Sequence, residues 1–109
     1  MKYMTLREVC NDFGVSRRAV QGYEKANLVS ASGKNERGYL LYDEDSQERI
    51  KRIKLFQQMG FTIKEIKELI DAPNGVLKSR LERQAKKLER ERCDIEVIIT
   101  KIYDMMEIL

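Results

Sequence analysis

Apolar and polar positions along the chain alternate in a way that predicts five helices and a short extended stretch. Leu6, Val9, Cys10 and Phe13 recur at helical spacing, which puts them on one face. Thr5-Leu6-Arg7-Glu8 opens this helix as a capping box: Thr5 accepts from the backbone N–H three residues on, and Glu8 reaches back. Lys2-Tyr3-Met4, ahead of it, is short enough to be at most an edge strand. Gly14 stops the helix and Ser16 caps the next, which runs from Arg17 to about Ala26. Ala19, Val20 and Tyr23 face inward there with Val15. Helix, glycine turn, helix is the helix-turn-helix pattern, although many helical pairs share it.

After Asn27-Leu28-Val29 the pattern breaks into a polar, glycine-containing loop, Ser30 to Gly38, followed by the strand candidate Tyr39-Leu40-Leu41-Tyr42. Strand, loop, strand after a helix-turn-helix suggests a wing with Lys34 and Arg37 at its tip; the plainer reading is an ordinary surface hairpin. Asp43-Glu44-Asp45-Ser46 places negative charge where a helix dipole favours it, and that helix runs to Met59 with Ile50, Ile53, Phe56 and Met59 inward. Thr62-Ile63-Lys64-Glu65 is a second capping box, and Ile63, Ile66, Leu69 and Ile70 form the next face. Asp71-Ala72-Pro73-Asn74-Gly75 is a clear break, so the expected domains are 1–72 and 73–109.

The last segment, 76–109, reads as one long helix. Leu81, Leu88, Ile95, Ile102 and Leu109 repeat every seven residues, Ala85, Ile99 and Met106 fill the companion position, and Arg92 interrupts it. This is a coiled-coil seam of about four heptads. Val97, Ile98 and Met105 widen the stripe beyond Ile95. An isolated helix gains little from propensity alone, so the stripe needs a partner: a second copy, or the chain's own first domain. The fold class expected is mainly α, a winged helix-turn-helix domain followed by a coiled-coil helix.

Charge and composition sharpen this. The 109 residues are 36% charged and 42% hydrophobic with one Pro and no Trp, a soluble helix-rich balance. Apolar runs reach only three or four residues, too short to span a bilayer. The opening MKYMTLREVC lacks the apolar core of a secretion signal, so the expected location is the cytoplasm. Residues 1–70 carry 13 Lys/Arg against 10 Asp/Glu, and 71–109 carry 8 against 8. The positive excess therefore lies where a nucleic-acid surface would use it. On the second helix Arg17, Arg18, Gln21, Gly22 and Lys25 share the outward face. They read either as a solvated polar face or as a helix laid into the major groove.

Together Thr5-Leu6-Arg7-Glu8-Val9, Gly14-Val15-Ser16, Tyr23-Glu24-Lys25, Asn27-Leu28, Gly38-Tyr39 with Tyr42, and the run Met59 to Lys67 resemble the MerR family of bacterial transcription regulators. The resemblance covers residues 2–70 in order and spacing. It implies a homodimer joined by an antiparallel coiled coil, bound to a pseudo-palindromic site in double-stranded promoter DNA. Such dimers bend and untwist that DNA so that RNA polymerase can engage both promoter elements, at a deformation cost that phosphate contacts must offset. Taken together with the outward face of the second helix and the wing, the DNA-binding residues expected are Ser16, Arg17, Arg18, Gln21, Tyr23, Lys25, Lys34, Arg37, Tyr39 and Tyr42, and the dimer seam is the heptad set above.

Two departures stand out. The family usually has Arg-Tyr-Tyr where this chain has Gln21-Gly22-Tyr23, and an arginine where it has Leu40. Either the contacts are redistributed, with Gln21 reading an adenine edge and Gly22 admitting a close approach, or DNA binding is weakened and the fold serves as a protein-interaction module. Enzyme chemistry is not expected: there is no histidine, no nucleophile–base pair, and Gly33-Lys34 lacks the preceding glycine of a phosphate loop. Cys10 and Cys93 stand far apart; one subunit cannot assemble a cysteine–histidine metal site or a four-cysteine iron–sulfur site. No cofactor is expected. Met105 to Leu109 ends inside the apolar stripe, which fits a natural terminus or a chain cut before a sensor domain.

Overall fold

Each helix begins where its capping residue sits. In a computed structural model, which describes residues 2–109, the order is β1 (Met4–Thr5), α1 (Leu6–Phe13), α2 (Arg17–Lys25), β2 (Gly33–Lys34), β3 (Leu40–Tyr42), α3 (Glu44–Gln58), α4 (Ile63–Leu69) and α5 (Asn74–Ile108). The chain divides into two units, Met1–Asp71 and Ala72–Leu109.

In the first unit both capping boxes form. The Glu8 N–H donates to Thr5 Oγ1 at 3.3 Å and the Thr5 N–H to Glu8 Oε1 at 3.0 Å. Thr62 and Glu65 repeat the exchange at 3.2 and 3.0 Å. Asp43 caps α3 by accepting the Ser46 N–H at 2.8 Å, and that bond holds the Asp43 carboxyl below its ordinary range. An edge strand, left open by the sequence at Lys2-Tyr3-Met4, forms as β1 at Met4–Thr5 and pairs antiparallel with β3, Met4 opposite Tyr42. β2 pairs with the other side of β3, Lys34 opposite Leu40. The three-stranded order β1-β3-β2 leaves β2 as the outer strand of a wing.

The helical faces meet over Val9, Val20, Ile50, Ile53, Ile66 and Leu69, all fully buried. Leu6, Cys10, Phe13, Ala19, Met59 and Ile63, expected inward, are only half-buried. Met4, Leu28, Val29 and Phe61 complete the core from strand and loop positions that helical spacing does not flag. Arg49 braces the back of the unit: its guanidinium holds Asp71 through two bonds of 2.8 Å, and its Nε donates to the Leu28 carbonyl. This pairing lowers the Asp71 pKa.

In the second unit the break is shorter than the sequence suggests. Asn74 and Gly75 are helical, and Pro73 sits at the N-cap with φ −58°. A proline there has no N–H to leave unsatisfied, and its ring fixes φ near the value a helix start requires. α5 then runs for 35 residues and contains no buried residue. No helix is long and apolar enough to cross a membrane, among the described residues.

Candidate nucleic-acid interface

The turn between α1 and α2 fixes the angle at which α2 is presented. Gly14 closes α1 with φ 64°, a left-handed conformation that favours glycine. A Cβ there would also stand 2.9 Å from Lys54 Nζ, which donates to the Phe13 carbonyl at 2.7 Å. Two residues on, Ser16 Oγ accepts the Ala19 N–H at 3.0 Å and starts α2. Ser16 thus caps α2, as its place in the sequence predicts.

From that start Arg17, Arg18, Gln21, Gly22 and Lys25 are all exposed, while Val20 and Tyr23 are buried beneath them. The structure corrects the reading of two tyrosines. Tyr23 is 2% exposed and its hydroxyl donates to Gln57 Oε1 at 2.6 Å. Tyr42 is fully buried and donates to Glu24 Oε1 at 2.7 Å. Neither ring lies on the surface, because a phenol packs its body into the core and satisfies its oxygen locally. Each instead ties α2 to a neighbour: Tyr23 to α3 and Tyr42 to β3. Burial raises the pKa of both, and for Tyr42 the Glu24 carboxylate adds to the shift.

The wing is built around one side chain. Asn35 Oδ1 accepts the N–H groups of Arg37 and Tyr39, each at 3.0 Å. Its backbone carbonyl accepts from Gly38 at 2.9 Å, and its own N–H reaches the Tyr39 carbonyl at 3.0 Å. Gly38 takes φ 81°, which closes the turn. Arg37 stands in this turn, exposed, and Tyr39 is 57% exposed. Lys34, expected at the tip, is an exposed β2 residue one step below it. Among the described residues, Arg17, Arg18, Lys25, Lys34 and Arg37 make no ion pair; Lys51–Glu48 lies within α3, and Arg49–Asp71 joins α3 to the segment after α4. Asn35, Gln57 and Glu24 escaped sequence reasoning; an asparagine three residues before a glycine is the signal that was available for the turn.

This arrangement has known counterparts. The model for "MerR HTH family regulatory protein" matches residues 4–73, and that for "MerR, DNA binding" matches 47–107. The chain belongs to the MerR family. It is 33% identical to the transcriptional activator mta of Bacillus subtilis over 102 residues, 94% of this chain but 39% of that protein. It therefore spans well under half the length of this relative. The solved N-terminus of MtaN, the Bacillus subtilis multidrug transporter activator, is 30% identical with a TM-score of 0.77, covering 94% of this chain and 97% of that one. HiNmlR, a MerR family regulator lacking the sensor domain and solved bound to promoter DNA, shares the fold at 17% identity and a TM-score of 0.71, with 90% and 79% covered. As a MerR-family chain it carries that family's helix-turn-helix DNA-binding domain.

Proposed function

We propose that this MerR-family chain works as a homodimer that reads a pseudo-palindromic promoter site in double-stranded DNA. The observation that carries the reading is the set of exposed cations without an ion pair, Arg17, Arg18 and Lys25 on α2 with Lys34 and Arg37 on the wing. α2 enters the major groove by its first turn, where Arg17 and Arg18 stand, and the wing flanks it over the phosphates. Gln21 is exposed on the same helix and has the donor and acceptor pair that matches an adenine edge. Tyr23 and Tyr42 act as positioning residues that set the tilt of α2.

Dimerisation follows from α5. Leu88, Ile95, Ile99, Ile102, Met106 and Leu109 are between 43% and 99% exposed, with Ala85 also exposed and Leu81 half-buried. A second copy, running antiparallel, covers this seam and sets two α2 helices on two half-sites. The dimer distorts the promoter so that RNA polymerase engages both elements. That MtaN is an activator and that HiNmlR was solved on promoter DNA support the direction of this reading.

Selection of bound duplexes from a random pool at physiological salt tests it, followed by titration of the winner across salt concentrations. An inverted-repeat winner with a steep salt slope is the expected result. Weak binding with no enriched sequence would refute it and leave α5 as the functional part of the chain.

A further inference from the structure

A hollow of about 470 Å³ opens where α1, α2 and the wing converge, and the residues around it include Arg7, Arg17, Gly38, Tyr39 and Leu40. Arg7 was not among the residues assigned to DNA from the sequence. It is the second residue of α1, and Arg17 is the first of α2. Both are exposed, and neither forms an ion pair among the described residues. No Asp or Glu lines the hollow, whereas the hollows beside α3 carry Asp45, and one of them Glu48 and Asp71 as well. Two arginines thus line one space that holds no acidic residue, a charge arrangement that suits an anion. Tyr39 adds an exposed phenol, and its main chain is held by Asn35. Leu40 contributes an apolar wall and no charge, so the cations come from the two helices and not from the strand.

We propose that this hollow seats one backbone phosphodiester of the bound duplex, clamped between Arg7 and Arg17, and that Arg7 is a DNA-contacting residue of this protein. The assignment rests on the DNA-binding reading above and adds a named contact to it. A phosphodiester carries one charge on two oxygens, which suits a guanidinium on each side. The contact carries no base information, so its loss weakens binding alike on every sequence.

The test uses the full chain and its Arg7→Ala and Arg17→Ala variants, with Arg7→Lys as a conservative partner. Alanine favours a helix at least as well as arginine, so folding is checked by thermal melting and is expected to hold. Binding is measured by anisotropy on the selected duplex and an unrelated one, across salt concentrations. Arg7→Ala is expected to weaken both about tenfold and to reduce the salt slope by about one. Arg7→Lys restores the slope, since charge is retained. On duplexes scanned with neutral methylphosphonate linkages, the wild-type chain loses affinity at one linkage per half-site that Arg7→Ala no longer senses. An unchanged slope in Arg7→Ala, with Arg17→Ala still weakened, would overturn the clamp and leave the DNA-binding reading standing. No salt-dependent binding by the wild-type chain would overturn both. Saturable binding of inorganic phosphate that Arg7→Ala abolishes, at an unchanged DNA slope, would reassign the hollow to a free oxyanion and overturn the proposal.

Discussion

The unit ending at Asp71 buries fifteen hydrophobic side chains among the described residues, and the 35-residue α5 buries none. The two are built from the same kinds of residue. They differ in where their apolar faces find a partner. In the first unit four short helices and a small sheet turn their faces on one another, so its stability is a property of one chain. α5 repeats its apolar positions along about 52 Å of helix, and none of its residues is buried. On the homodimer proposed above, its order as a helix is tied to a second molecule and so to concentration.

The largest effect should come from breaking that seam. Ile95→Asp together with Ile99→Asp removes burial of about 2 kcal/mol per side chain and adds carboxylates to both helices of a dimer. Sedimentation is expected to show single chains, and circular dichroism a loss of helix confined to α5; a dimer mass that survives would remove the seam from consideration. The counterpart in the first unit is Ile66→Ala, where a fully buried side chain is cut. A cost of about 2–5 kcal/mol is expected, seen as a lower urea midpoint that does not shift with protein concentration. A midpoint that tracks concentration would mean the two regions unfold as one.

A smaller effect probes the links that position α2. Tyr42→Phe removes the bond to Glu24 and should cost about 1 kcal/mol. The fold raises the Tyr42 pKa above its ordinary value of 10.0, by burial first and by Glu24 second. Its stabilising contribution is thus complete below the unfolded pKa, about 10, and declines as pH rises beyond it. Alkaline titration of stability should accordingly be shallower in Tyr42→Phe than in the wild-type chain; equal slopes would show that this phenol does not govern it. The smallest effect belongs to Gly22, whose added Cβ would meet nothing within 4 Å. Gly22→Ala should stabilise the first unit by up to about 1 kcal/mol. If DNA affinity falls while stability rises, the duplex approaches α2 closely at this point; if affinity holds, Gly22 has no part in the interface.

Much of the fold was legible because its signals are local. The boxes at Thr5 and Thr62, the stop at Gly14 and the cap at Ser16 each depend on residues within three or four positions, and each forms as read. The inward faces of α1 to α4 were legible for the same reason. Tyr23 and Tyr42 misled because a phenol suits a wet surface and a sealed core equally well, and the choice depends on Gln57 and Glu24, 34 and 18 residues away in sequence. β2 is Gly33-Lys34, a pair with no strand signal, and it exists because β3 offers an edge. Arg7 carries no signal of its own in the sequence, since the hollow it lines includes Arg17, Gly38, Tyr39 and Leu40, ten or more residues away.

The turn at Asn35 has a practical consequence. One amide oxygen holds the main chain on both sides of Arg37, so the path of the wing does not depend on the side chain at position 36. Glu36 is exposed and makes no side-chain hydrogen bond or ion pair among the described residues. It is therefore a natural attachment point for a fluorescent label, one residue from Arg37 and outside the helices. A dye placed there would report the arrival of a duplex on the wing without altering the turn.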